Sequence, residues 1–243
     1  MTSFTYNGQS SADFGLHIQS KNVFSAPEYD AEFTSVPGRS GDIINSNRRF
    51  ANIKVTYTVF LARKNTADLA AVMRDIKGWL YSEPDRYHEL TDSYDYGYFR
   101  YGVISGSLDI EEQLNKIGSF TATFNCKPYK YSFAGQQVLA ADDSALAVTN
   151  PTAFESRPYI KLYGSGAVTL NISSGGSTNS WTISDIDEYI EIDCELMNCF
   201  KGTDLKNDTV TGNDFPVLKP GENVIACTGN VRRLEIIPRW CCL

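Results

Sequence analysis

The chain has 243 residues, 42% of them apolar and 21% charged, which suffices for one large or two ordinary globular domains and is too apolar for a disordered or fibrous polymer. Its formal charge of −7 excludes a protein that grips nucleic acid through its phosphates, since that mode needs clustered Lys and Arg, and Arg48-Arg49 and Arg232-Arg233 are isolated pairs. No apolar run approaches the roughly 20 residues that span a bilayer, and residues 1–8 lack the basic start and apolar centre of a secretory leader, so synthesis and retention in the cytosol are expected.

Short apolar runs punctuated by Gly, Asn, Asp and Pro, with 14 Tyr and 13 Phe, predict a mainly β protein. Strands at 4–6 and 16–18 flank the turn-rich stretch 7–11. The segment Pro37-Gly38-Arg39-Ser40-Gly41-Asp42 reads as a polar loop in which Pro fixes one backbone angle and two glycines can take positive φ; its ordinary role is a strand connection. Residues 53–61 alternate apolar and polar and predict a strand. One helix is predicted over 66–80, because Leu69, Val72, Met73, Ile76, Trp79 and Leu80 fall on one face at helical spacing. Asn65 or Thr66 can cap its start, and Glu83-Pro84-Asp85 ends it, since Pro cannot continue the hydrogen-bond ladder. Strands at 98–109 and 116–127, separated by 110–115, read as a long antiparallel hairpin. One amphipathic helix on a sheet gives an α+β first domain over 1–133.

Residues 134–150 are small, weakly apolar and free of aromatics, and are read as a linker. Beyond it, in 151–243, short strands are expected at 159–163, 168–172, 181–183, 189–194, 223–227 and 232–238, and their spacing predicts a β-sandwich.

Chemistry is sparse. The six cysteines, at 126, 194, 199, 227, 241 and 242, form no Cys-x-x-Cys pair and have neither His17 nor His88 nearby in sequence, so no zinc site is expected. Cys126, Cys194 and Cys227 read as buried thiols, and the vicinal Cys241-Cys242 pair as an accessible one. Among acidic residues, Asp185, Asp187, Glu191 and Asp193 come nearest to a paired-carboxylate site, but Ile190 and Ile192 between them predict an ordinary strand with its carboxylates in water. Asp92 and Asp95 lack the dense oxygen ligands of a calcium loop and read as turn formers. No catalytic residue, metal site or cofactor site is assigned, and no enzymatic activity is expected. Trp181, Tyr189 and Trp240 can stack on sugar rings if exposed, or pack the core; Trp240 reads as an anchor for the terminal segment.

Several of these strings together resemble one family. Val36-Pro37-Gly38-Arg39-Ser40-Gly41-Asp42 and Asp214-Phe215-Pro216-Val217-Leu218-Lys219-Pro220-Gly221-Glu222-Asn223 carry the resemblance at either end. Between and beyond them, in order, stand Asp13-Phe14-Gly15-Leu16, Gly78-Trp79-Leu80, Glu89-Leu90-Thr91-Asp92-Ser93-Tyr94-Asp95, Phe124-Asn125-Cys126-Lys127-Pro128-Tyr129 and Ile236-Ile237-Pro238-Arg239-Trp240. The pattern resembles the distal tail proteins of long-tailed bacteriophages. The resemblance implies a homo-hexameric ring at the far end of the tail tube, built by the first domain, with a galectin-like or carbohydrate-module-like second domain pointing outward. It further implies contacts with the tail tube protein, the tail-associated tip protein, receptor-binding components and the tape-measure protein, and passage of DNA through the ring without specific binding. Such proteins are made and assembled in the host cytoplasm and end in the virion tail tip, most naturally in phages or prophages of Gram-positive hosts. Ring closure requires two different complementary surfaces on each subunit; the 98–127 hairpin and the 53–61 strand are expected suppliers, and Arg39 and Asp42 are expected to fix subunit register through charge-assisted contacts. Two other classes stay open: a carbohydrate-binding adhesion module exposing a groove with Trp181 or Tyr189, and the equivalent ring component of a phage-derived tail-like device.

Overall fold

In the computed structural model, which describes residues 2–62, 66–113, 117–142 and 145–243, the chain forms two compact units, Met1–Lys130 with Leu243, and Tyr131–Cys242. The first unit opens with β1 (Phe4–Tyr6) and β2 (Gln9–Ser10), joined through Asn7-Gly8, both at positive φ. That dipeptide suits a two-residue hairpin turn, whose mirror-image geometry matches strand twist. β3 (His17–Asn22), β4 (Tyr29–Thr34), β5 (Ile43–Phe50) and β6 (Ile53–Ala62) follow, then α1 (Thr66–Leu80), β7 (His88–Asp92), β8 (Tyr98–Ile104), β9 (Glu111–Gln113) and β10 (Ile117–Ser132).

The main sheet runs β2-β1-β7-β8-β10-β6-β3, with β9 paired to β10. Period-2 alternation places Ile53, Val55, Tyr57, Val59 and Leu61 of β6 in the core, and the predicted stripe of α1 packs with them. Trp79 is fixed by its indole N–H, which donates to the Tyr6 carbonyl at 2.8 Å, and by stacking on Phe14 and Phe4 with ring centroids 4.8 and 5.6 Å away. The helix ends at Leu80 as the Pro84 breaker requires; the expected cap Asn65 and the Thr66 side chain lie outside the described residues. Two expectations change here. Strand β8 stops at Ile104, five residues before the predicted end at 109, while β10 continues to Ser132. Both β6 and β10 have strands on each side, so neither offers a free sheet edge to a neighbouring subunit.

The segment read as a linker is folded into the second unit. β11 (Leu139–Ala141) and β12 (Ala145–Asn150) pair with opposite ends of a long strand, β18 (Gly221–Ile237). The six short strands expected beyond it coalesce into three long ones, β13 (Tyr159–Ser174), β14 (Ser177–Asp193) and β18, joined by β15 (Asn198–Lys201), β16 (Asp204–Leu205) and β17 (Val210–Thr211) in one eight-stranded sheet. Register shifts interrupt the long pairings between Gly166 and Val168 and between Tyr163 and Gly164. They reverse which parity faces inward: Trp181 and Ile183 are buried on one side of the irregularity in β14, Ile186, Ile190 and Ile192 on the other. Residues from both halves of each long strand meet in one core, including Leu162 with Leu170 and Ile225 with Leu234. The terminal segment is pinned by Trp240, which is buried and accepts the Ser132 N–H at its carbonyl, 2.8 Å away. Cys126, Cys194 and Cys227 are buried as expected. Cys241, expected to be accessible, is also buried, its thiol donating to the Glu155 carbonyl, and burial pushes it up to about 12.

Among the described residues no helix is long and apolar enough to cross a membrane.

Candidate assembly interface

β4 and β5 form a sheet of two strands by themselves, outside the main sheet. Their connection contains the Pro37-Gly38 turn. The Arg39 N–H donates to the Val36 carbonyl at 3.1 Å and Gly38 sits at φ +79°, the geometry of a type II turn with Pro and Gly at its central positions. A Cβ at Gly38 would meet no neighbour, so the positive φ alone selects glycine there.

The ribbon is two-faced. Register pairs Phe33 with Ile44 and Ala31 with Ser46, so these side chains share a face. Phe33 is 67% exposed and Ile44 62%. The opposite face carries one exposed apolar side chain, Ile43, and is otherwise polar and internally bonded: Asp30 accepts from Asn47 at 2.8 Å and from Arg49 at 2.6 Å, and Asn45 donates to Thr34 at 3.2 Å. The pairing of Asp30 with Asn47 and Arg49 holds its carboxyl below the usual carboxylate range. At the base, Phe50 meets Tyr29 and Tyr129 edge-on with centroids 5.1 and 5.9 Å away, and Ala51 donates to the Glu28 carbonyl at 2.8 Å. A two-stranded ribbon with no third layer is marginal in water, and this one leaves its apolar face open.

In the second unit, the outer face of β13, β14 and β18 is closed on itself. Lys161 reaches Glu191 at 3.3 Å, Tyr159 and the Gly202 N–H also donate to Glu191, and Arg233 and Tyr163 donate to Glu235 at 2.8 and 3.2 Å. Burial alone would raise the Glu191 carboxyl; the bonds from Tyr159, Gly202 and Lys161 outweigh it and hold the group low. Asp193 departs from the expected solvated position. It is 6% exposed, clamps Arg239 through two bonds of 2.8 and 3.0 Å, and accepts the N–H groups of Glu195 and Leu196. Burial again pushes upward, and the guanidinium and backbone donors prevail, so this carboxyl is also lowered.

Residues 10–126 match the family model of the phage tail protein RIFT-related domain. That stretch, just under half of the chain, is similar to this phage tail family. The whole chain is also similar in fold to the SPP1 Dit (gp 19.1) protein, a paradigm of the hub adsorption apparatus in phages that infect Gram-positive hosts, at 15% identity and TM-score 0.73 over 97% of each chain. Phage P2 baseplate structures in the activated conformation, one with Ca and one with Sr, match at 9% and 10% identity with TM-scores of 0.52 and 0.51, again over 97% of each chain. No curated protein sequence matches the chain. The resemblance to distal tail proteins read from the motifs is thereby borne out, as family for the first domain and as mainly β fold for the whole chain.

Arg39 and Asp42 lie exposed at the tip of the β4–β5 ribbon. Trp181 and Tyr189 are not brought together. Trp181 is buried in the core with its N–H donating to the Asp214 carbonyl, whereas Tyr189 belongs to the outer face, under the Lys161 ammonium at 4.2 Å. The parity reversal between them is the cause. The residues missed by sequence reasoning are Phe33 and Ile44. The alternation Tyr29-Asp30-Ala31-Glu32-Phe33 ahead of the Pro-Gly turn was the signal that pointed to them.

Proposed function

We propose that this tail protein is a hub subunit of the distal tail, and that the β4–β5 ribbon is the arm with which each copy holds the next. The open apolar face of the ribbon carries this reading: burying two side chains such as Phe33 and Ile44 contributes about 1.5–3 kcal/mol each, and only a partner can cover them. An arm on one subunit and a different receiving surface on the next is a heterologous contact, which generates closed rings when the rotation closes. Six copies close the ring, with Arg39 and Asp42 at the arm tip fixing register through charge pairs. The ring joins the tail tube to the tip protein, carries receptor-binding components, and passes first the tape-measure protein and then DNA. The −7 charge suits a wall that does not hold a polyanion. Its place is the virion tail tip after assembly in the host cytoplasm, and its mechanism is a change of subunit contacts with no reaction catalysed.

The test is the absolute mass of the reduced protein by multi-angle light scattering across concentration, with negative-stain images of the heaviest fraction. Six-fold rings that vanish in the Phe33→Ser, Ile44→Ser variant are expected. A monomer that persists with the tube and tip proteins added overturns the reading.

A further inference from the structure

We propose that the second unit holds a saccharide-binding pocket beside Trp181, independent of ring formation. A cleft of about 250 Å³ is lined by Glu155 and Arg157 ahead of β13, by Asn179 and Trp181 of β14, and by Asn213 and Asp214 of the following loop. Three separate stretches of chain thus converge on one indole. The loop is held against it, since Trp181 donates to the Asp214 carbonyl and a Cβ at Gly212 would overlap the indole ring, so only glycine permits the approach. A second cleft of about 410 Å³, lined in part by Met197 and Val210, shares Trp181, Asn213, Asp214 and Phe215 with the first. A polar pocket therefore adjoins a more apolar one.

The chemistry of the lining selects the ligand class. A sugar offers vicinal hydroxyls, each donor and acceptor, and patches of C–H; planar amide, carboxylate and guanidinium groups satisfy the first, and an aromatic edge the second. The outer face of the same unit has its Lys, Arg and Glu side chains bonded to one another. By contrast, among the described residues the side chains of Glu155, Arg157, Asn179 and Asn213 make no hydrogen bond within the chain. All four line one cleft, and their donors and acceptors are available to a ligand. Glu155 and Asp214 against the single Arg157 give the pocket a net negative charge, so it takes a neutral or N-acetylated hexose in preference to a uronic acid or a phosphorylated sugar.

The experiment titrates the full chain with neutral mono- to tetrasaccharides of hexose and N-acetylhexosamine and, in parallel, with uronic-acid oligosaccharides, reading tryptophan fluorescence and saturation-transfer NMR. Saturation transfer to at least one neutral sugar is expected at millimolar concentration, with affinity falling about tenfold in Arg157→Ala and in Asn213→Ala, the effect of one lost hydrogen bond to the ligand. Tyr189→Ala, on the other face, leaves it unchanged. No response to any neutral saccharide, a stronger response to the uronic acids, or binding that both pocket variants retain overturns the proposal. Arg157 is exposed, so loss of fold is not expected, and circular dichroism of each variant checks it. Light scattering of the same variants reads ring formation separately, so failure of the pocket and failure of the hub reading give different results.

Discussion

The β4–β5 ribbon and the β13–β14 hairpin are both antiparallel pairs joined by Gly-containing turns, yet they meet opposite fates. β13–β14 lays one face on a core that includes Ile160, Leu162, Ile183 and Ile192, and closes the other with Lys161, Glu191 and the tyrosines around them. β4–β5 closes only its polar face, through Asp30, and leaves Phe33 and Ile44 in water. The lesson is that apolar area without an internal partner is where a partner would bind, while a satisfied polar face is architecture. Changes in the long hairpin should register as stability and changes in the ribbon as association.

The largest effect expected from this contrast is in the second unit. Asp193→Ala leaves Arg239 partly buried without its carboxylate, and should lower unfolding stability by about 3–5 kcal/mol in a denaturant titration. The same pair sets an acid limit. The folded Asp193 and Glu191 carboxyls are both lowered, so the stability they give is fully present above the unfolded value of about 4 and is lost as pH falls through the lower folded values. Thermal unfolding of Asp193→Asn should lose much of the acid dependence seen in the wild type between about pH 5 and pH 2.

The next effect belongs to the ribbon. Phe33→Ser with Ile44→Ser should weaken self-association by about a hundredfold or more, the equivalent of two apolar side chains of burial, while the monomer's stability stays within about 0.5 kcal/mol. Sedimentation equilibrium and denaturant unfolding on the same preparation check both halves. A loss of monomer stability comparable to that of Asp193→Ala would break the comparison. Gly38→Ala forces a side chain to positive φ in the turn, and should weaken association by about fivefold through a ribbon distorted by roughly 1 kcal/mol. Arg39→Ala and Asp42→Ala should have the smallest effects, a few tenths of a kcal/mol each in association at physiological salt and larger in 10 mM salt.

What could be read in advance follows from where burial is decided. α1 and β6 were legible because their apolar spacing faces one core, so Leu69 to Leu80 and Ile53 to Leu61 announce themselves locally. Of the ribbon only the connection 37–42 reads as a polar loop; the short alternation at 29–33 has no buried face behind it to mark Phe33 and Ile44 as strand residues. The three long strands of the second unit were cut into short ones at the register shifts, where the inward parity changes. The same shift hid the separation of Trp181 from Tyr189, and the turn after β14 hid the burial of Asp193.

The sequence by itself determined the mainly β class, the single helix, the turns at Asn7-Gly8 and Pro37-Gly38, and the motifs that mark a phage tail protein, because each depends on neighbours a few positions away. Only the tertiary structure decided that residues 134–150 complete a sheet, that Asp193 meets Arg239, that Glu155, Arg157 and Asn213 share one cleft, and that the β4–β5 ribbon stands without a covering layer. These depend on pairings across tens of residues, where long strands and their bulges choose which side chains meet.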